Sequence, residues 1–184
     1  MTGRRGLCVA GGLAAVLACI GVGAAGAKDR VDSFAGSCSV QGTDTFTPPA
    51  TDTVQPLSVD YLASGACSGT LDGRSVSNAP VTLHSVARHV NGSCPYAQTT
   101  QPGTGAITFA DGTTIRYTFQ FTSVATEVSF TMQGQRSGSA SAHATFLTQR
   151  TTPGVALECA GDGASKVPMD LSLITNTPLV SDRR

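Results

Sequence analysis

The strongest constraint on the fold is a strict alternation of apolar and polar residues in the stretch 106–124. One face of this stretch carries the apolar side chains Ile115, Tyr117, Phe119 and Phe121. Alternation with a period of two is typical of a strand with one buried face and one solvated face. The stretch therefore predicts a β-strand that lies against an apolar core.

The dipeptide Asp111-Gly112 predicts a hairpin turn within the same stretch. A two-residue turn at this point would pair apolar residues of one strand with polar residues of the next. A three-residue loop, 110–112, instead pairs Ile107 with Ile115 and keeps each face uniform. Gly112 would then adopt a left-handed conformation, which glycine tolerates because it has no Cβ.

The residues that follow predict a meander whose register can be derived from the faces. A four-residue loop at 123–126 would place Phe119 opposite Phe130, so that apolar residues meet apolar partners. A five-residue loop at 134–138 would place Phe130 opposite Ala142. Large residues would then oppose small ones, as close packing favours.

Residues 28–184 contain no window with a convincing 3.6-residue period. Turn dipeptides separate the alternating segments, and Asp72-Gly73 and Asn91-Gly92 are the strongest of them. The prediction is an all-β, antiparallel domain of roughly eight to ten strands with hairpin meanders, either a sandwich or an up-and-down barrel.

Two segments of this single domain are predicted to be partly irregular. Residues 32–54 include Pro48 and Pro49, which lack the N–H that a central strand needs, so 42–53 is expected to be a loop or an irregular edge. Residues 175–184 are expected to fray.

Residues 1–27 have the pattern of a secretory signal peptide. Arg4 and Arg5 precede an apolar run, and Ala25-Gly26-Ala27 provides small residues for cleavage. Cys19 lies in a poorer match to a lipoprotein processing site, which leaves lipid anchoring as a minor alternative. The expected location is extracellular, with no membrane span once the leader is removed.

Four cysteines follow the predicted leader, namely Cys38, Cys67, Cys94 and Cys159. An even number of cysteines in an exported chain without a paired C-x-x-C motif predicts two disulfides. Three connectivities are open. We favour Cys38–Cys67 with Cys94–Cys159, because the first pair would join strands that are adjacent in sequence.

Charge and composition argue against several function classes. Loss of Arg4 and Arg5 with the leader leaves slightly more acidic than basic residues, and no basic patch indicates nucleic-acid binding. The histidines and aspartates do not have metal-ligand spacing, so we expect neither a metal nor a cofactor.

The aromatic residues form one candidate site. In the predicted register a single face carries Phe109, Tyr117, Phe119, Phe121, Phe130 and Phe146. In a sandwich these residues would be core. In a barrel of about eight strands they could instead line a cavity for one small apolar ligand.

The polar face of the meander carries a second candidate site. His143 and Glu127 lie diagonally in the predicted register and could act as an acid–base pair, with Arg116 on the same face. The competing interpretation is a solvated surface rich in threonine and serine. Catalytic residues cannot be assigned from this pattern.

With its leader, four cysteines and hairpin turns, the chain resembles small exported all-β proteins of actinomycetes. The resemblance implies export and a bacterial origin, and it brings no particular activity. The favoured hypothesis is a secreted, disulfide-stabilised, non-enzymatic β-domain with an unknown extracellular or cell-surface partner. The alternatives are a β-barrel carrier of a small hydrophobic ligand and a secreted hydrolase.

Overall fold

The computed structural model describes residues 31–94, 96–125, 127–146 and 159–183. The predicted leader, 1–27, lies outside the described residues. The described residues form nine β-strands: β1 (Val31–Ala50), β2 (Gln55–Leu71), β3 (Arg74–Ser93), β4 (Tyr96–Thr99), β5 (Gly103–Phe109), β6 (Thr114–Val124), β7 (Glu127–Gly134), β8 (Ser137–Phe146) and β9 (Ala164–Asp182).

The strands close into a barrel. β1 pairs with β2 along one edge and with β9 along the other, and every pairing is antiparallel. The remaining strands follow each other around the ring in chain order. The all-β prediction is confirmed, and of its two architectures the structure has the up-and-down barrel.

Eight strands make the ring, and β4 is additional to them. β3 pairs with β5 over 81–86 and with β4 over 90–93. β6 pairs with β5 over 114–119 and with β4 over 122–124. The short strands β4 and β5 therefore occupy one position in the ring, one after the other.

The β5–β6 hairpin has the predicted register. Ile107 lies opposite Ile115, and the N–H of Phe109 donates to the Thr113 carbonyl at 2.9 Å. Gly112 has a φ of 89°, so it adopts the left-handed conformation expected at the end of a three-residue loop.

The predicted β6–β7 register is wrong by two residues. Val124 lies opposite Glu127, and Ala125 has a φ of 55°. Phe121 rather than Phe119 lies opposite Phe130. A slip of two residues leaves every side chain on its predicted face, so face matching could not distinguish the two registers. The β7–β8 register is as predicted, with Phe130 opposite Ala142.

The two turn dipeptides behave differently. Asp72 and Gly73 have φ values of 50° and 76° and connect Leu71 to Arg74, as a type I′ turn requires. Asn91-Gly92 does not form a turn, because both residues continue β3. The chain reverses two residues later, where Cys94 donates its N–H to the Thr51 carbonyl at 2.7 Å.

The segments predicted to be irregular are mostly strand. β1 continues to Ala50, and β9 continues to Asp182. Residues 51–54, between β1 and β2, are not strand, and the ladders of β9 with β1 and β8 are interrupted near prolines. Pro48 and Pro49 lie where the β1–β9 register shifts, and Pro178 lies where the β8–β9 register shifts. Proline is tolerated there because the ladder hydrogen bonds are already interrupted.

The disulfides have the favoured connectivity. Cys38 and Cys67 are direct partners across β1 and β2, with their Cα atoms 4.0 Å apart. Cys94 and Cys159 join the end of β3 to the residues before β9, with Cα atoms 5.9 Å apart.

One end of the barrel is densely filled, and we call it the closed end. The rings of Phe34 and Phe109 pack there with their centroids 5.4 Å apart. Leu71, Ile115 and Leu179 surround them and are at most 2% exposed. Burial of these side chains away from water stabilises this end of the barrel.

Reduction of the disulfides is expected to lower the melting temperature markedly. The bridges close loops with sequence separations of 29 and 65 residues. A disulfide that closes a loop of this size stabilises the folded protein by about 3 to 5 kcal/mol, because it lowers the conformational entropy of the unfolded chain. Calorimetry with and without reductant measures the effect, and an unchanged midpoint would contradict a structural role.

Replacement of inward and outward neighbours on β6 tests the face assignment. Phe119→Ala should lower the free energy of unfolding by about 3 to 5 kcal/mol, since its ring is buried in the barrel. Thr118→Ala is the matched control on the exposed face and should change it by less than about 0.5 kcal/mol. Urea unfolding compares the two variants, and equal losses would show that the faces are misassigned.

Candidate functional site

The barrel interior opposite the closed end contains a cavity. Its free volume is about 40 Å³, which is space for about three water molecules. The wall is aromatic and apolar. Its larger side chains are Phe46, Tyr61, Tyr117, Phe119, Phe121, Phe130, Met132, Phe146 and Met169. We call this region the cavity end.

Five of the six aromatic residues predicted from the sequence lie on this wall, and Phe109 packs at the closed end instead. The rings of Phe119, Phe121 and Phe130 form one cluster, with centroids 5.6 to 6.4 Å apart. Such spacings are typical of favourable aromatic pairs. The cluster is therefore a packed wall that borders an unfilled space.

A polar row crosses this apolar interior. It follows the hydrogen-bonding direction through consecutive strands, and its members are direct cross-strand partners. Asp44 lies opposite Tyr61, Tyr61 opposite Ser85, Ser85 opposite Gly105, and Gly105 opposite Tyr117. Inward positions at one level of the barrel thus bring two phenols, a hydroxyl and a carboxyl to one part of the cavity.

The hydroxyl groups of the row are hydrogen-bonded. The Ser85 and Tyr117 hydroxyl oxygens are 2.7 Å apart, and the Tyr61 hydroxyl donates to the Met169 carbonyl at 3.2 Å. Burial raises the pKa of both tyrosines above the ordinary value, so both phenols are neutral. These groups are satisfied polar features of the cavity wall.

Asp44 differs from the rest of the row. It is 5% exposed and lines the cavity, and no other described residue makes a hydrogen bond or an ion pair with its carboxyl group. Burial, with a smaller contribution from the charge of Asp60, raises its pKa from 3.8 to about 8. Desolvation disfavours the charged form of a carboxyl, so Asp44 is mainly protonated at neutral pH.

Sequence reasoning missed Asp44 because it falls in the segment predicted to be a loop. A signal was present: Asp44 and Phe46 occupy alternate positions, as do Val40 and Gly42 before them. An alternation that continued through 40–46 would have placed Asp44 inside the barrel. Pro48 and Pro49, which follow shortly after Phe46, favoured the prediction of a loop instead.

Glycines in β5 make room for the rings of β6. A Cβ on Gly105 would lie 2.5 Å from the ring of Tyr117, and one on Gly103 would lie 2.6 Å from the ring of Phe119. Each ring therefore extends across the backbone of the neighbouring strand. At Gly105 this allows the Tyr117 hydroxyl to reach Ser85 on β3.

The rim of the cavity is formed by aromatic residues that are incompletely covered. Phe130 and Phe146 are half-buried, and Phe46 and Phe121 are 9% and 8% exposed. Phe146 is also the last described residue of β8. The rim thus differs from the closed end, where the rings are fully covered.

Glu127 and His143 keep the predicted diagonal arrangement on β7 and β8, with Glu127 opposite Thr145 and Ser129 opposite His143. Arg116 lies apart from them. Glu127 lies opposite Val124 at the end of β6, whereas Arg116 is near its beginning, roughly 26 Å away along the strand. The Arg116 guanidinium donates to the Asp182 carbonyl at 3.2 Å. His143 is exposed and lies 3.5 Å from the Ser129 hydroxyl. The acid–base pairing of Glu127 and His143 stays a prediction.

Ion pairs occupy a shallow groove outside the closed end. Arg183 contacts Asp32 at 2.5 Å and Asp72 at 2.7 Å, and Arg74 contacts Asp111 at 3.0 Å. Because Asp72 also accepts the N–H of Ser33, the groups tie the strand ends together. Each of the two arginines has at least one carboxylate partner within the protein.

No group of three or more histidine, cysteine, aspartate or glutamate side chains in the described part of the chain could hold a metal ion. The four cysteines are all in disulfides.

Among the described residues, no helix has both the length and the apolar character needed to cross a membrane.

No family model, curated protein or solved structure matches the chain. The cavity therefore has to be interpreted from its own geometry and chemistry.

Asp44 should make the protein less stable as pH rises. Its pKa of about 8 in the folded state exceeds the value of 3.8 for an unperturbed carboxyl, so the folded state binds the proton more tightly. The free energy of unfolding should fall between pH 4 and 8, by up to about 1.4 kcal/mol per pH unit. Below pH 4 both states are protonated and the effect vanishes.

Urea unfolding of the wild type and Asp44→Asn from pH 4 to 8 measures this effect. Asp44→Asn should be the more stable protein at pH 8, and the difference between the two should shrink as pH falls. A difference that does not change with pH would contradict the assignment.

Gly105→Ala should destabilise the protein by about 1 to 3 kcal/mol, because the added Cβ would overlap the Tyr117 ring. In a Tyr117→Ala background the same change should have a much smaller effect. A double-mutant cycle of unfolding free energies tests this, and additive losses would show that the ring and the glycine are independent.

Proposed function

We propose that this protein is a secreted, disulfide-stabilised, non-enzymatic β-domain that binds a small ligand with an apolar body inside its barrel. The observation that carries the proposal is the unfilled interior at one end of an otherwise filled barrel. Eight-stranded barrels are just wide enough either to be filled by side chains or to hold one small molecule. In this barrel, side chains fill the closed end, and the cavity end holds one small molecule.

The chemistry of the cavity supports a small organic ligand. Ligand sites are mainly apolar and aromatic, with a few polar groups that fix orientation. The cavity has this composition, with aromatic rings around Asp44 and the hydroxyls of Tyr61, Ser85 and Tyr117. A free volume of about 40 Å³ fits a molecule of only a few non-hydrogen atoms. A longer ligand would have to displace the rim rings.

The two ends of the barrel divide structural and binding roles. At the closed end, the apolar core and the external ion pairs hold the strand ends together. The disulfides add stability that suits a protein outside the cell. Incomplete packing at the cavity end can therefore be tolerated without loss of the fold.

Binding of propan-1-ol and hexan-1-ol tests the proposal. Titrations followed by NMR of aromatic and methyl signals should show saturable shifts at the cavity end, with none at Phe34 and Leu179. Ala97 is 7% exposed and lines the cavity, so Ala97→Leu should fill it and weaken binding at least tenfold. Gln98→Leu adds a similar side chain on the outer face and is the matched control.

Retention of binding by Ala97→Leu, or equal loss in Gln98→Leu, would overturn the proposed site. Absence of saturable binding of both alcohols to the wild type would overturn the function itself. Circular dichroism checks that both variants keep the fold.

Native mass spectrometry of protein from the culture medium of its producer tests export and natural occupancy. We expect a chain that begins at Lys28, carries two disulfides and retains a small molecule that is released on denaturation. A retained leader or a lipid-modified Cys19 would contradict the proposed secretion.

A further inference from the structure

We infer that the cavity selects a small protonated amine with an apolar tail, and that Asp44 is the counter-ion of the ammonium group. The inference rests on the proposed function and names the ligand class for the same cavity. It starts from the one polar group of the cavity wall for which the described residues provide no partner.

A buried carboxyl normally has a hydrogen-bonding or cationic partner, because its isolation in an apolar environment is costly. Asp44 is 5% exposed and is adjacent to the free volume of the cavity. The interior positions around it carry aromatic, aliphatic and hydroxyl side chains, and none of the described residues that line the cavity is a lysine, an arginine or a histidine. A ligand that carries a positive charge would provide this carboxyl with the partner that the described residues do not.

The aromatic wall is also suited to a cation. Aromatic rings attract a cation over their faces, most strongly where water is excluded. Tyr61 is the direct cross-strand partner of Asp44, and Phe46 is the next inward residue on β1. An ammonium group at Asp44 would thus lie beside the carboxyl and among aromatic rings. Its alkyl tail would contact the cluster of Phe119, Phe121 and Phe130.

Charged groups near Asp44 belong to the strands packed beside it. On β2, Asp60 lies outside the barrel and raises the pKa of Asp44 through its negative charge. On β9, Lys166 is next to Val167, the direct partner of Asp44, and Asp170 lies three residues beyond Val167, opposite Gln41. Apart from these groups, His84 of β3 pairs with Asp60 at 3.0 Å on the outer face, and the phenols of Tyr61 and Tyr117 stay neutral.

These surroundings disfavour a negative charge on Asp44 and favour a cation beside it. Asp60 repels an anion in the cavity, and burial has a larger effect in the same direction. A bound ammonium group has the opposite effect on Asp44, because an adjacent positive charge stabilises the ionised carboxyl.

Binding then follows a simple proton balance. In the empty cavity at neutral pH, the Asp44 carboxyl carries its proton. An amine arrives from solvent as an ammonium ion, the carboxyl O–H bond breaks, and that proton leaves to the buffer. No other bond is made or broken, so one proton is released for each ligand bound below the pKa of Asp44.

Propylamine and propan-1-ol form a matched pair of probes, because they have the same number of non-hydrogen atoms and differ in charge. At pH 8 the wild type should bind propylamine at least tenfold more tightly than propan-1-ol. Between pH 6 and 8 the affinity for propylamine should rise up to about fiftyfold, since Asp44 ionises with a pKa of about 8. The affinity for propan-1-ol should not change.

Calorimetry in buffers of different ionisation enthalpy counts the protons. Propylamine should release nearly one proton at pH 6.5, and propan-1-ol none. Asp44→Asn should lose the preference for the amine and its pH dependence while retaining propan-1-ol binding, which also shows that the variant is folded.

Asp60→Asn is the matched control, because it removes an acidic charge outside the cavity. It should keep the preference for propylamine, and the pH dependence of binding should move to lower pH because one cause of the raised pKa is removed.

The outcomes separate the two proposals. Equal affinity for propylamine and propan-1-ol at pH 8, or an unchanged preference in Asp44→Asn, would overturn the amine assignment and leave the binding function standing. Failure of both probes to bind would overturn the binding function together with the amine assignment.

Discussion

Closure of the sheet by the pairing of β1 with β9 is the constraint on which the rest of the structure depends. It joins the first and last strands of the described chain over most of their length. Once the ring is closed, alternation along each strand becomes a division between an interior and an exterior. It also removes the free edges that an open sheet would expose.

Closure also explains how polar groups come to lie in an apolar interior. In a closed ring, inward positions at one level become neighbours although they are distant in sequence. Asp44 and Tyr117 reach the same cavity through four successive cross-strand pairings. Gly105 contributes by its small size, because it allows a ring from β6 to pass over β5.

The densely packed region and the cavity are separated along the barrel axis. The closed end has fully buried aliphatic and aromatic side chains, and ion pairs hold its strand ends together from outside. The cavity end retains a buried carboxyl whose ionisation opposes folding. Local destabilisation of this kind is typical of binding sites, where groups are positioned for a ligand and not for the empty protein.

The sequence by itself determined the strand class, the faces and much of the register. Alternation is a local property, so the sequence alone pairs Ile107 with Ile115 and Phe130 with Ala142, as in the structure. The favoured disulfide pairing followed from strand adjacency. The β6–β7 register could not be fixed in this way, because a shift of two residues preserves every face.

Only the tertiary structure decided between sandwich and barrel and identified Asp44. Closure depends on contacts between β1 and β9, which are far apart in sequence and leave no local pattern. The aromatic face was predictable from the sequence. Its division into a filled end and a cavity depends on how side chains from all the strands pack together inside the barrel. The same holds for the lack of a partner for Asp44 among the described residues, because it is recognised only when the neighbours of the carboxyl in space are known.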